Sequence, residues 1–177
     1  MEQALRRNIE LKARYHSLET AHAIARALPS ARQPDQCQRD TYFHCPRGRL
    51  KLREIRDLRA ELIWYAREDD AGPKASDYRI VAISDPDGLK AALKAAWGIR
   101  GIVDKQRAIY LHRNVRIHLD EVRDLGTFLE FEAVLSDGEG ADSARFLLEQ
   151  LKLSFRIADK DLVRASYGEL IDQFPRR

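Results

Sequence analysis

Several short stretches of this chain place charged side chains two apart, with apolar residues between them. Arg49, Lys51 and Arg53 stand against Leu50 and Leu52, and Lys105 and Arg107 are spaced in the same way. Arg116, His118 and Asp120 alternate with Val115, Ile117 and Leu119; Phe128, Glu130 and Glu132 alternate with Leu129, Phe131 and Ala133. Tyr65 and Arg67 continue the pattern, and Asn8, Glu10, Lys12 and Arg14 oppose Ile9, Leu11 and Ala13. A two-residue period is that of a β-strand, whose successive side chains point to opposite faces. The charges are segregated by strand: some strands offer only cations, others mainly carboxylates. If the sheet closes with these faces inward, a cationic wall and a carboxylate cluster share one interior. That combination suits a metal-bound polyphosphate, because carboxylate oxygens ligate Mg²⁺ or Mn²⁺ while Lys and Arg take the phosphoryl oxygens. An amphipathic sheet with its charged face in water is the competing reading.

The elements that must position these residues are mostly strands. Strands are expected over Asn8–Arg14, Gln38–His44, Arg49–Glu54, Glu61–Arg67, Ser76–Ile83, Ile102–Tyr110, Val115–Val122 and Phe128–Leu135. On the fourth, Leu62, Trp64 and Ala66 form the apolar face. Ser17 is placed to cap a helix running to Leu28, where Pro29 stops it; Leu18, Ala21, Ala25 and Leu28 keep helical spacing. Asp85-Pro86-Asp87 starts a second helix, with Leu89, Leu93 and Trp97 spaced by four. Helices over Asp142–Leu151 and Ser166–Phe174 close the chain. Gln33–Gln36 with Pro34, Glu68–Lys74, and Asp137–Gly140 read as loops or turns, as does Pro46–Gly48. This inventory predicts an α+β fold with an antiparallel sheet, open or closed as a barrel; a barrel with a polar inside must bury its outward apolar faces under the helices.

Composition sets the outer bounds. The 177 residues fit one domain with a sizeable core. Hydrophobic residues make up 44% and charged residues 33%, while 31 basic and 28 acidic side chains leave a net charge of only +3. So small a net value does not argue for nucleic-acid or membrane partners. Cys37 and Cys45 form no CxxC pair, and the charged stretch from Met1 to Arg14 is not a signal peptide, so a reduced, cytoplasmic protein is expected. GxGxxG, Walker and HExxH motifs are missing, and no Cys/His set has zinc spacing.

The ordered set of motifs resembles a known family. Asn8-Ile-Glu10-Leu-Lys12 is similar to the ExExK motif of the CYTH superfamily, the triphosphate tunnel metalloenzymes. Gln38-Arg-Asp40-Thr-Tyr42-Phe43, Gly48-Arg49-Leu-Lys51-Leu-Arg53-Glu54, Tyr65-Ala-Arg67 and Ser76-Asp-Tyr78 follow the family order. So do Asp104-Lys105-Gln-Arg107, Ile117-His118-Leu-Asp120-Glu-Val, Leu125-Gly126-Thr-Phe128-Leu-Glu130-Phe-Glu132 and Ser166-Tyr167. The resemblance covers nearly the whole chain and implies one domain over residues 1–177, folded as an eight-stranded antiparallel barrel around a tunnel.

By resemblance, Asp120, Glu130 and Glu132 hold the principal divalent ion, Mg²⁺ or Mn²⁺, and Glu10 serves a second. Lys12, Arg49, Lys51, Arg53, Arg67, Lys105, Arg107 and Arg116 are implied as the cations that grip a triphosphate. Lys12, Glu10, Glu130 and Glu132 are the implied catalytic set. The first acidic position of ExExK is Asn8 here, which offers a carbonyl oxygen but no charge, and so puts a second metal in question. The spellings DTYF, GRLKLRE and IHLDEV look closest to class IV adenylate cyclase-like proteins, which convert ATP to cyclic AMP and pyrophosphate. Hydrolysis of tripolyphosphate or thiamine triphosphate needs the same residues and stays open, as does a non-catalytic polyphosphate or RNA-end binder. His118 is read as a hydrogen-bonded tunnel histidine, and Tyr42, Tyr65 and Phe128 as barrel packing or the wall of a base. A homodimer through an exposed sheet edge or an apolar helix face is a further expectation.

Overall fold

The computed structural model describes residues 5–67, 72–135 and 140–173. Eight strands occur in chain order: β1 Arg6–Arg14, β2 Ala31–Phe43, β3 Arg49–Ile55, β4 Arg59–Arg67, β5 Lys74–Ile83, β6 Ile99–His112, β7 Val115–Val122 and β8 Gly126–Val134. Every neighbouring pair is antiparallel, and the sheet closes on itself in the ring order β1-β5-β4-β3-β2-β6-β7-β8. Closure leaves no free sheet edge among the described residues, so the edge-mediated homodimer has no basis. Among the described residues four α-helices lie outside the lumen or across its end: α1 Leu18–Ala27, α2 Pro86–Trp97, α3 Ala141–Ser154 and α4 Tyr167–Gln173.

The alternation decides which face is which. Ile9, Leu11 and Ala13 of β1, Ile117 and Leu119 of β7, and Leu129, Phe131 and Ala133 of β8 are all buried on the outside of the barrel. They pack under Ala21 and Ala25 of α1 and Ala144, Leu148 and Leu151 of α3. On the far side, Phe43, Leu52 and Ala60 pack with Leu89 and Leu93 of α2. The hydrophobic core therefore sits between barrel and helices, and the charged faces turn into the lumen. Burial of these apolar faces offsets the ordering of the helices that cover them.

Local chemistry sets the helix starts. The Ser17 side chain accepts from the Thr20 amide, and Asp85 accepts from the Gly88 amide with Pro86 at the first helical position. Gly48, at φ 72°, turns the chain into β3; a Cβ there would lie 2.8 Å from Tyr65 O and from Trp64 Nε1.

Two expectations are corrected. Gln33–Gln36 is not a loop: β2 already begins at Ala31, and Pro34 is absorbed in a register shift between Gln33 and Gln36 against β6. A bulge is where a strand can spare the amide that proline lacks. Trp97 does not join the apolar stripe of α2; it is 47% exposed at the helix end. Residues 68–71 of the expected loop, 137–139 of the expected turn and Phe174 at the expected end of the last helix lie outside the described residues. Among the described residues no helix is long and apolar enough to cross a membrane.

Candidate active site

Register alone assembles the site. Across β1, β8 and β7, Glu10 pairs with Glu132 and Glu132 with Arg116; one step along, Lys12 pairs with Glu130 and Glu130 with His118. In the ring order the carboxylate-bearing β8 stands opposite β3, which carries Lys51 and Arg53. Glu10, Lys12, Lys51, Arg53, Arg67, Lys105, Arg107, Arg116, Glu130 and Glu132 thus line one internal cavity. Ile63 and Tyr65 of β4 and Tyr78 and Ile80 of β5 form a less polar wall of the same cavity.

Two buried carboxylates organise the cations. Asp40, fully buried, accepts from Lys51 at 3.0 Å, Arg53 at 2.8 Å and Lys105 at 2.8 Å. Burial by itself would raise its pKa; Arg53, Lys105 and Lys51 outweigh that and hold it well below the usual carboxylate range. The same burial, with Arg53 adjacent, pulls Lys51 down to about 8 and Lys105 down as well. Asp120 takes both arms of Arg107, at 2.7 and 2.6 Å, and the Tyr167 hydroxyl donates to it at 2.7 Å. Its carboxyl stays ionised because Arg107 outweighs the burial that would raise its pKa.

The remaining carboxylates face the cavity. Glu130 accepts from Lys12 and from Arg107, each at 2.9 Å; Lys12 foremost, then the adjacent His118 and Arg107, hold its carboxyl well below the usual range against its burial. Glu10 pairs with Arg67. Glu132 has looser company, with Arg116 at 3.7 Å. One ligand atom from each of His118, Glu130 and Glu132 lies within 4.8 Å of the others. The histidine reading is corrected in part: His118 is buried in the tunnel, but among the described residues its Nδ1 has no hydrogen bond of good geometry. Asn8 Oδ1, also buried beside the cavity, has no partner among the described residues either. Orphaned buried acceptors next to carboxylates fit a site built for a cation.

Two residues expected in the site stand apart from the cavity. Arg49 is held outside it by Glu169 of α4, at 2.7 Å. Asp120 is buried behind Arg107, and Arg116 sits at the rim with its side chain 41% exposed. Sequence reasoning missed Asp40, Lys74, Glu169 and the role of Tyr167. Lys74 Nζ and an Arg67 amine both donate to Arg164 O, which draws the chain before α4 against the barrel. Tyr167 then enters the lumen, with Lys12 Nζ 3.9 Å from its ring centroid. A Cβ on Gly168 would meet the Tyr42 ring at 2.9 Å, so only glycine lets α4 begin this close. The alternation of Gln38, Asp40 and Tyr42 did signal an inward Asp40; its three partners are visible only in the register.

A closed antiparallel barrel with a cation-lined, carboxylate-bearing lumen defines the triphosphate-tunnel architecture. The CYTH domain profile matches residues 6–167, and the chain belongs to that family, whose members act on triphosphates. Solved structures share the fold at low identity. The PH1012 protein of Pyrococcus horikoshii OT3 superposes with a TM-score of 0.83 at 23% identity, covering 92% of this chain and 98% of that one. A Vibrio parahaemolyticus protein put forward as an adenylate cyclase gives 0.76 at 21%, covering 93% and 97%. The RNA triphosphatase Pct1 of Schizosaccharomyces pombe, in complex with the Spt5 CTD, gives 0.54 at 14%, covering 87% and 86%. No curated protein sequence matches significantly.

Proposed function

We propose that this chain is a divalent-metal-dependent enzyme that converts ATP to cyclic AMP and pyrophosphate within the tunnel. The observation that carries the reading is the single cavity in which Lys51, Arg53, Lys105 and Arg107 face Glu10, Glu130 and Glu132 beside an aromatic and aliphatic wall. An inorganic polyphosphate has no use for that wall, whereas a nucleobase can pack on Tyr65 and Tyr78. Glu130 and Glu132, with Glu10, would hold Mg²⁺ or Mn²⁺, which when bound neutralises phosphate charge and acidifies the attacking hydroxyl. Arg53 and Arg107, each held through Nε and Nη2 by Asp40 and Asp120, turn their remaining Nη1 and their charge to phosphoryl oxygens, and Lys51 and Lys105 add point charges. Their alignment orients the α-phosphorus toward the ribose 3′-oxygen. As that oxygen gives up its proton to solvent water and bonds to the phosphorus, the link to the β-phosphate breaks and the cations take up the charge of the departing pyrophosphate. Residues Lys12, Glu10, Glu130 and Glu132 form the proposed catalytic set, and Arg67 and Arg116 belong to the substrate-binding set. Asp120 acts through Arg107, which it orients.

The assay is product analysis of purified protein with Mg²⁺ or Mn²⁺, offered ATP, tripolyphosphate and thiamine triphosphate separately. Cyclic AMP and pyrophosphate from ATP are expected. Orthophosphate from tripolyphosphate or thiamine triphosphate, with ATP intact, would make the chain a phosphohydrolase instead. Tight ligand binding in EDTA with no product from any substrate would make it a binding module.

A further inference from the structure

The three donor atoms that converge at the carboxylate end of the tunnel are not all oxygens. We infer that His118 Nδ1 is a ligand, with Glu130 and Glu132, to a divalent transition ion, so that this centre selects Mn²⁺ over Mg²⁺; the inference rests on the metal-dependent reading above. His118 is 4% exposed, and its Nδ1 lies 3.5 Å from Glu130 Oε2 and 3.8 Å from Glu132 Oε1. Among the described residues that buried nitrogen has no hydrogen bond of good geometry, Glu130 at 3.5 Å being its nearest carboxylate, although nearly all buried polar atoms are paired. Cross-strand pairing of His118 with Glu130 and of Arg116 with Glu132 fixes the spacing.

An oxygen set that takes its third carboxylate from β7 is not available. Asp120, two residues along β7, already accepts both Arg107 nitrogens and the Tyr167 hydroxyl, and is fully buried. Recruiting it would strip a buried guanidinium of its fork partner. Glu130 differs: a carboxylate has about four lone-pair sites, and Lys12 and Arg107 occupy only two of them. Among the described residues, Glu132 touches no cation closer than 3.7 Å. Glu10 is held by Arg67, so the donor atoms that converge within 4.8 Å are one imidazole nitrogen and two carboxylates, with the imidazole proton on Nε2. Mg²⁺ keeps to oxygen ligands, whereas imidazole binds transition ions well, so a mixed set favours the latter.

The test uses the full chain, stripped of metal and titrated with Mn²⁺ or Mg²⁺ alone. Pulsed EPR of the Mn²⁺-loaded protein should show ¹⁴N coupling from a directly bound nitrogen. In His118→Gln that coupling should vanish, with Mn²⁺ affinity falling at least about tenfold and Mg²⁺ affinity nearly unchanged. A wild-type spectrum without ¹⁴N coupling at saturating Mn²⁺ would overturn the inference, whether or not His118→Gln folds. So would a folded His118→Gln protein that keeps its Mn²⁺ affinity. The two readings fail separately. Triphosphate turnover without nitrogen coupling sinks only the ligand assignment, and nitrogen coupling without turnover of any triphosphate sinks only the enzymatic reading.

Discussion

Asp40 and Lys105 meet at 2.8 Å inside the barrel, and the same carboxylate also gathers Lys51 and Arg53. One buried acid therefore presets three cations before any phosphate arrives, so the tunnel is organised for an anion in advance of binding. Asp40→Asn keeps the shape and removes the charge, leaving three buried cations facing one another. It should destabilise the fold by about 3–5 kcal/mol, the usual result of breaking a buried pair from one side. Urea denaturation measures this; a change below about 1 kcal/mol would mean that the cluster is open to water.

Lys51 titrates at about 8, lowered first by burial and then by Arg53. It is charged below that pH and neutral above it, so kcat/KM for the triphosphate should fall as pH rises through about 8. The folded value lies below the ordinary lysine pKa, so the protonated form opposes folding at neutral pH, and that penalty is relieved as pH rises from about 8 toward the ordinary value. Lys51→Arg stays charged throughout, and its pH profile should lose the inflection. An unchanged inflection would assign the titration to another group, Lys105 being the nearest candidate on the same carboxylate.

Glu132 is the carboxylate to remove first. Glu130 holds Lys12 and Arg107, so its loss would unbalance buried cations, whereas Arg116, the partner of Glu132, is 41% exposed. Glu132→Gln should lower metal-dependent turnover by about a hundredfold with an unchanged circular dichroism spectrum. Wild-type turnover at saturating substrate and metal would remove Glu132 from the site.

Asn8 occupies a buried position beside the cavity, its carbonyl oxygen without a partner among the described residues. Asn8→Glu introduces a buried charge that only a cation can balance. Its melting temperature should therefore fall in EDTA and recover with Mn²⁺, by a wider margin than wild type shows. Equal melting temperatures with and without metal would place the new carboxylate outside the metal's reach.

How much of this was legible in the sequence depends on the kind of information. Strand β7 was readable to the residue, Val115–Val122, because strict alternation is a local signal. The start of β2 was not, because Ala31–Gln36 is polar and contains Pro34; its strand character comes from pairing with β6. The inward set of charges followed from alternation once the sheet was taken as closed. What alternation cannot supply is the partner of each charge. Asp40 among three cations, Asp120 spent on Arg107 and Tyr167, and Arg49 held by Glu169 are facts of register and of α4 docking. The carboxylate cluster was legible; the withdrawal of Asp120 from it, and the turn of His118 toward it, were not.

The most direct measurement is a crystal structure of the protein with Mn²⁺ and a non-reactive ATP analogue. The account predicts phosphates in the tunnel against Lys51, Arg53, Lys105 and Arg107, with an anomalous manganese peak at Glu130 and Glu132 and the base on the Tyr65–Tyr78 wall. Analogue density on the outer surface, or a lumen still closed by its own ion pairs at saturating ligand, would contradict it.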